Sequence, residues 1–121
     1  MPFTLYGIRN CDTMKKARAW LDAAAIPYRF HDYRKDGVPE QALRRWVARL
    51  GLDEVLNRRG TTFRKLAAEA RAALDGEGAI RFLLSEPAAI RRPMLEGDGV
   101  LLAGFVPACY QKLRPTGGEN E

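Results

Sequence analysis

Apolar and polar positions along the first third of the chain change their period twice. Residues 3–8 are mostly apolar without clean alternation, which predicts a strand buried on both faces. Apolar residues then recur at three- and four-residue spacings up to Pro27, which predicts a helix that ends there. Residues 28–33 alternate with a period of two, as a half-buried strand does. A strand, a helix and a strand in this order predict a parallel βαβ unit.

The middle of the chain has helical patterns separated by breaks. One helix begins near Pro39 and ends at Gly51, and its apolar face consists of Leu43, Trp46, Val47 and Leu50. Further helical patterns cover residues 53–57, 63–74 and 80–84, with breaks at 58–60 and 75–78. The middle of the chain therefore predicts a helical segment without strands.

The last third returns to strands. Residues 94–96 and 100–103 are short apolar runs joined by a Gly-Asp-Gly segment, which indicates a hairpin. Pro107 opens a final helix whose apolar residues are Val106, Tyr110 and Leu113.

The order β-α-β, helical segment, β-β-α is the plan of an α/β fold of the thioredoxin or glutaredoxin type. It predicts a four-stranded mixed sheet in which the hairpin runs antiparallel to the first two strands. We expect one domain over residues 1–115, with a helical insertion at about 38–90 and a flexible tail at 116–121.

Cys11 lies where the first predicted strand passes into the first predicted helix. A helix N-terminus presents unpaired backbone N–H groups and a partial positive charge, and Lys15 and Lys16 add cations one turn later. Such surroundings can lower the pKa of a thiol from about 8.5 to roughly 3.5–7.5. We interpret Cys11 as a reactive thiolate, Lys15 as its stabiliser, and Asn10 and Thr13 as loop supports, with Asn10 also able to cap the helix. The alternative is a small buried residue with an inert thiol.

Composition and net charge limit the classes of function that the chain can have. With 46% hydrophobic and 29% charged residues in 121, the chain is typical of a soluble globular protein, and we expect it in the cytoplasm. No apolar run approaches the ~18–20 residues of a membrane span. A net charge of +5 suits small anions or nucleic acid, but the basic pairs lack interleaved aromatic residues, so we expect no nucleic-acid partner. Arg44, Arg45 and Arg49 are interpreted as a solvated helix face.

Cysteine and histidine content excludes several kinds of site. The two cysteines, Cys11 and Cys109, are too few for a disulfide scaffold. The single histidine, His31, lies in a predicted strand, so neither a zinc site nor a cysteine–histidine pair is expected. Cys109 is interpreted as a packing or surface residue rather than a resolving thiol.

Four short motifs carry a resemblance to a known family. They are GIRNCDT, RRGTTF, IRRP and LAGF, at residues 7–13, 58–63, 90–93 and 102–105. In this order and spacing the chain resembles the arsenate reductase-like (ArsC) family of thioredoxin-fold proteins, from residue 3 to about 113. Within that family it is similar to the YffB-type branch, small proteins regarded as glutathione-dependent thiol reductases.

The resemblance implies a set of site residues. Arg92 and Pro93 would form a cis peptide facing Cys11, with backbone groups that can hold an extended thiol peptide. Arg58 and Arg92 would bind the anion, either an oxyanion or a glutathione carboxylate. Glutathione is then the expected co-substrate, and neither a metal nor a nucleotide is required.

The chain departs from the arsenate-reducing members of the family at two places. Those enzymes have a serine and an arginine where this chain has Met14 and Lys15, and their third anion-binding arginine has no counterpart near residues 104–107. Because a charged hydrogen-bond partner contributes about 1.5–3 kcal/mol, these departures predict poor turnover of arsenate.

Three functions follow from the resemblance. The first is a monothiol reductase, in which glutathione resolves the mixed disulfide because Met14 fills the second position of a Cys-x-x-Cys motif. The second is an Spx-type regulator that contacts RNA polymerase, although such regulators normally carry Cys-x-x-Cys. The third is an arsenate reductase. For the reductase, we expect a monomer whose partner is glutathione or another thiol or disulfide substrate. We expect no association with a membrane.

Overall fold

The computed structural model describes residues 3–9, 11–57 and 76–113, which form two compact units. The first unit contains the described residues up to His31 and those from Arg92 onward, and the second runs from Asp32 to Arg91. The helical insertion expected at about 38–90 stays a prediction, and the first helix of the second unit begins at Tyr33. The expected single domain over residues 1–115 stays a prediction, and the tail at 116–121 lies outside the described residues.

The first unit carries a four-stranded mixed sheet with the strand order β2-β1-β3-β4. The strands are β1 (Phe3–Gly7), β2 (Tyr28–Asp32), β3 (Met94–Gly97) and β4 (Val100–Ala103). Strand β3 pairs antiparallel with β1, where Leu95 lies opposite Leu5, and antiparallel with β4, where it lies opposite Leu102. Helix α1 (Asp12–Ala23) connects β1 to β2. The predicted α/β fold with a mixed sheet is confirmed.

One face of this sheet is covered by α1. The helix buries Met14, Ala17 and Leu21, the stripe that its periodicity predicted. These side chains pack in one cluster with Leu5, Ile26, Leu95 and Tyr110. Strand β1 is not buried on both faces as expected. Leu5 and Gly7 are buried, whereas Phe3, Thr4 and Tyr6 are half-buried.

The predicted hairpin β3–β4 is confirmed. The backbone angles of its turn explain why Asp98 and Gly99 favour a hairpin at this position. Asp98 and Gly99 have φ values of 51° and 79°. Positive φ at both central residues is the type I′ geometry, for which Asp-Gly is a favoured pair.

The second unit contains four helices among its described residues. They are α2 (Tyr33–Asp36), α3 (Glu40–Leu50), α4 (Leu52–Val55) and α5 (Gly76–Ser85), followed by a 3₁₀ turn at Pro87–Ala89. Helix α3 buries Leu43 and Trp46, whereas Val47 and Leu50 of the predicted face are half-buried. The helix predicted at 63–74 lies outside the described residues.

Two short helical segments correct the predicted boundaries. Strand β2 ends at Asp32, and Tyr33 begins α2 instead of closing the strand, because the Asp32 carboxylate accepts a hydrogen bond of 3.0 Å from the Arg34 N–H. Of the break predicted at residues 75–78, Asp75 lies outside the described residues, Gly76 has a φ of 43°, and Glu77 and Gly78 continue in α5. In the first turn of α5, Glu77 accepts hydrogen bonds from Arg44 of α3.

Helix α6 (Pro107–Gln111) closes the first unit after β4. Tyr110 is fully buried and meets the rings of Trp20 and Phe105 edge-on, at centroid distances of 5.5 and 4.8 Å. Val106 does not lie on the buried face as predicted; it caps the helix and is 49% exposed. Within the part of the chain that the structure describes, no helix has the length and apolar character needed to cross a membrane.

Candidate functional site

Cys11 is the N-cap residue of α1. Its backbone is extended, with φ −140° and ψ 126°, and its carbonyl accepts the first helical hydrogen bond from the Lys15 N–H at 3.0 Å. Its own N–H donates to the Arg9 carbonyl at 3.1 Å. The cap that the sequence predicted at Asn10 is therefore one residue too early, and Asn10 itself lies outside the described residues. Because it occupies the cap, the Cys11 thiol lies beside the unpaired N–H groups of the first turn.

The surroundings of Cys11 lower the pKa of its thiol below the ordinary cysteine value. Partial burial acts in the opposite direction and raises it. Burial is outweighed by the Met14 N–H, by the side chain and the positive charge of Arg92, and by the Thr13 N–H. Two first-turn amides and one guanidinium thus favour the thiolate.

Arg92 reaches the thiol from a segment that is remote in sequence. It is half-buried and precedes the buried Pro93, and the peptide bond between them is cis, as the resemblance implied. The Gly104 N–H, just after β4, donates to the Pro93 carbonyl at 2.8 Å. The entrance to β3 is thereby tied to the end of β4, which fixes the backbone that carries Arg92.

The other predicted site residues have different positions. Thr13 contributes its backbone N–H to the thiol. Lys15 is exposed and is not among the groups that lower the Cys11 pKa, so its role as a stabiliser stays a prediction. Arg58 lies outside the described residues, and its role in anion binding also stays a prediction.

Met14 and Gly7 belong to the site in a way that the sequence did not reveal. The sequence placed Met14 on the apolar stripe of the helix and at the second position of a Cys-x-x-Cys motif, but gave no sign that its N–H lowers the pKa of the Cys11 thiol. Its side chain is fully buried against Gly7, where an added Cβ would lie 2.7 Å from the Met14 Cε. Gly7 is part of the GIRNCDT motif, but the motif does not predict its contact with Met14, because that contact depends on how closely β1 and α1 approach.

Among the described residues, the other side chains that could act as nucleophiles or metal ligands form no second reactive or metal-binding site. Cys11 and Cys109 are both half-buried free thiols. His31 packs its ring against Tyr6 at a centroid distance of 5.2 Å, which fits the predicted strand residue. In residues 3–9, 11–57 and 76–113, no three His, Cys, Asp or Glu side chains are grouped to hold a metal ion.

Comparison with known proteins covers nearly the whole chain. A sequence model of the ArsC family matches residues 6–113. A solved structure of a YFFB protein is 50% identical, with a TM-score of 0.88 over 93% of this chain and 99% of that one. An arsenate reductase (ArsC) related protein from Brucella melitensis is 47% identical, with a TM-score of 0.75 over 93% of each chain.

Curated relatives fall at two levels of identity. An uncharacterised protein of Haemophilus influenzae is 41% identical over 108 residues, which are 89% of this chain and 95% of the relative. The global transcriptional regulator Spx of Listeria innocua is 28% identical over 105 residues, 84% of this chain and 79% of the relative. The chain is thus similar both to ArsC-related proteins and to a transcriptional regulator.

Proposed function

Because the chain belongs to the ArsC family, as its motifs predicted, we propose that it is a thiol–disulfide oxidoreductase that uses glutathione as its reductant. Cys11 is the nucleophile. The observation that carries this proposal is the lowered pKa of its thiol, which is half-buried at the N-cap of α1, where the Met14 N–H and Arg92 favour the thiolate. A thiolate at neutral pH is the reactive form in disulfide exchange.

The reaction proceeds in two exchange steps. The Cys11 thiolate attacks the glutathione sulfur of a mixed disulfide R–S–S–G, so that a Cys11–S–S–G bond forms and R–S⁻ leaves and takes up a proton. A second glutathione thiolate then attacks the glutathione sulfur bound to Cys11. Oxidised glutathione is formed, and Cys11 leaves as the thiolate. The net change converts R–S–S–G and one glutathione into R–SH and oxidised glutathione.

Arg92 and the first-turn amides assist both steps. They lower the free energy of the Cys11 thiolate, which is the attacking group in the first step and the leaving group in the second. A leaving thiol of lower pKa departs faster. Lys15, Asn10, Thr13, Arg58 and Pro93 are the further residues that we assign to this site, Arg58 as a second anion-binding group. The chemistry needs no metal or nucleotide, and we place it in a monomer in the reducing cytoplasm.

Mass spectrometry of the protein incubated with oxidised glutathione tests the proposal. We expect one glutathione adduct, located on Cys11 by peptide mapping. Cys11→Ser is expected to lose the adduct and all glutathione-coupled disulfide reduction. Cys109→Ser, which removes the other half-buried free cysteine, is the matched control and should retain both. Loss of turnover in Cys109→Ser with retention in Cys11→Ser would reverse the roles of the two thiols.

Similarity to Spx favours a second candidate, a regulator that binds RNA polymerase. We rank it lower because Met14, where Spx-type factors normally carry a second cysteine, has a fully buried side chain and no thiol. A pull-down separates the two functions. Retention of RNA polymerase by a protein without disulfide turnover would support the regulator, and turnover without retention would support the reductase.

Arsenate is the less suitable substrate. Met14 and Lys15 replace two residues of the arsenate-reducing enzymes, and residues 104–107 contain no arginine to complete an oxyanion site. We expect arsenate-dependent oxidation of glutathione to be far slower than reduction of a glutathione mixed disulfide. Comparable rates for the two substrates would identify the protein as an arsenate reductase.

A further inference from the structure

An open groove runs between α1 and the edge strand β2 of the first unit. Its volume is about 410 Å³, and it is lined by Arg18, Asp22, Ile26, Pro27, Tyr28 and Phe30. A smaller recess of about 270 Å³ shares Arg18 and Asp22 and adds Lys15 and Ala19. We call the two together the α1–β2 groove. Its larger part lies in the size range of small-molecule sites, roughly 300–1,000 Å³.

Arg18 is held in the groove at two points. Its Nε donates a hydrogen bond of 3.3 Å to the Tyr28 hydroxyl, and its guanidinium carbon lies 4.8 Å from the centre of the Phe30 ring. The side chain is half-buried. These contacts occupy Nε and one face of the group. The two Nη atoms therefore form a donor fork whose position is already fixed, which suits bidentate binding of a planar anion.

A second guanidinium meets the same ring. The guanidinium carbon of Arg9 lies 5.6 Å from the centre of Phe30. Among the described residues, no carboxylate lies within ion-pair distance of Arg9 or Arg18, and Asp22 lines the groove without pairing with either. One cation over Phe30 is explained by the cation–π interaction. Two cations gathered there, neither of them paired with the nearby Asp22, are explained better by an anion that binds both.

We propose that the α1–β2 groove binds the carboxylate of a small organic acid. Arg18 supplies the paired donors, and Arg9 and Lys15 add positive charge. Ile26 and Pro27 form an apolar wall for the carbon skeleton of the ligand, which a bare inorganic anion would not use.

The carboxylate has two possible sources. Cys11 and Arg18 are seven residues apart on α1, which places them on the same side of the helix and about 10 Å apart along its axis. Glutathione carries its thiol on the middle residue, and its γ-glutamyl arm extends roughly 10 Å from that sulfur, so the glutamyl carboxylate of glutathione bound at Cys11 can reach Arg18. The other source is a separate organic acid. Only the first source depends on the proposed function.

NMR titration of the reduced full-length protein distinguishes these cases. The probes are succinate and the thiol-free tripeptide γ-glutamyl-alanyl-glycine, and the readout is the backbone amide shift of Lys15, Arg18, Ala19, Tyr28 and Phe30. We expect saturable shifts. Arg18→Gln should weaken binding at least about tenfold, because it removes a charged, bidentate donor. Arg29→Gln, which removes an exposed arginine of β2 outside the groove, is the matched control and should leave affinity unchanged.

Saturable binding of either or both probes that Arg18→Gln weakens and Arg29→Gln leaves unchanged supports the site. Binding of the tripeptide but not succinate identifies glutathione as the source, and binding of succinate alone identifies a separate acid. The absence of saturable shifts with both probes, or equal losses in Arg18→Gln and Arg29→Gln, would overturn the site. Since the probes carry no thiol, a failure here leaves the Cys11 adduct with oxidised glutathione unaffected. If the groove binds the probes but Cys11 forms no adduct with oxidised glutathione, only the proposed function is contradicted.

Discussion

At the scale of single residues, the charge state of Cys11 depends on Arg92. The guanidinium both bonds to the thiol and places a positive charge beside it. We expect Arg92→Gln to raise the pKa of Cys11 and to slow its alkylation by iodoacetamide several-fold near neutral pH. The measurement is the alkylation rate of Cys11 as a function of pH.

Arg91→Gln is the matched control for Arg92→Gln. The Arg91 side chain donates from Nε to the Glu54 carbonyl at 2.7 Å, within the second unit. Its removal should leave the alkylation profile of Cys11 as in the wild type. If the two variants shift the profile equally, the effect is one of net charge, and the specific contact of Arg92 with the thiol is not its cause.

A second prediction for a single residue concerns the effect of the Tyr110 hydroxyl on the free energy of unfolding. Its hydroxyl is buried without a hydrogen-bond partner among the described residues, and burial raises the pKa of the phenol. An unsatisfied buried polar group costs about 1–3 kcal/mol. Tyr110→Phe should therefore increase the free energy of unfolding by roughly that amount, measured by urea denaturation.

Tyr28→Phe provides the comparison for this change. The Tyr28 hydroxyl is half-buried and accepts the hydrogen bond from Arg18 Nε, so its removal should bring no gain in stability. A Tyr110→Phe protein that is no more stable than the wild type would mean that the Tyr110 hydroxyl is solvated or bonded in solution.

At the scale of secondary-structure elements, the close approach of β1 and α1 at Gly7 and Met14 supports the site. A methyl group at residue 7 would overlap the buried Met14 side chain, whose neighbours leave it little room. We expect Gly7→Ala to lower the free energy of unfolding by about 1–3 kcal/mol, the usual cost of overpacking. It should also raise the pKa of Cys11, because Met14 supplies one of the amides that lower it.

Gly99→Ala separates stability from site geometry. Gly99 has a φ of 79° with open space around it, so an alanine there is strained without touching the core. It should lower stability and leave the alkylation profile of Cys11 unchanged. A normal Cys11 profile in Gly7→Ala would show that the β1–α1 contact acts on packing alone.

The packing of α3 against α5 involves an exposed ion-pair network. Arg44 bonds to Glu40 on its own helix at 2.8 Å and to Glu77 of α5 at 2.6 and 2.9 Å. The bonds from Arg44 lower the pKa of Glu77, against a small opposing effect of burial. A lowered folded-state pKa stabilises the fold above the unfolded value of about 4.3, and this stabilisation disappears as the pH falls through the folded value.

Glu77→Gln is thus expected to be less stable than the wild type near neutral pH, with a difference that shrinks below about pH 4. Thermal unfolding at several pH values measures it. Glu86→Gln, which changes an exposed glutamate just beyond the same helix, should show no such pH-dependent difference. A Glu77→Gln difference that does not depend on pH would assign the loss to packing rather than to charge.

The elements also show what a sequence can predict. The stripe of Met14, Ala17 and Leu21 and the hairpin were predicted correctly because each follows from periodicity or turn chemistry. The errors fall where a single contact decides a boundary. Asp32 caps α2 by accepting a hydrogen bond from the Arg34 N–H, so that β2 ends one residue before its predicted end.

At the scale of the whole molecule, the site joins two segments that are remote in the chain. Cys11 and Arg92 come together because β3 lies next to β1 in the sheet, so that the residues before β3 reach the start of α1. The family resemblance predicted this pair. It did not predict that Cys11 is itself the cap or that the Met14 N–H lowers the pKa of the thiol, since both depend on the exact residue at which α1 begins.

This arrangement couples the thiolate to the stability of the fold. The pKa of Cys11 is lower in the folded protein than in an unfolded chain, where it is about 8.5. The thiolate therefore contributes stability that is fully present above the unfolded value and is lost as the pH falls through the folded value. Cys11→Ser lacks this contribution at every pH.

We expect the free energy of unfolding of the wild type, relative to Cys11→Ser, to rise with pH as the folded thiol ionises and to level off above the unfolded pKa of about 8.5. Hydrogen exchange of the β1 amides measures this for the unit that contains the site. Cys109→Ser should follow the wild type across the range. Modification of Cys11 by glutathione should lower the stability of that unit at high pH, because the adduct carries no thiolate. Parallel profiles for the wild type and Cys11→Ser would show that the thiolate is not held more favourably in the fold than in the unfolded chain, which would remove the electrostatic basis for Cys11 as the nucleophile.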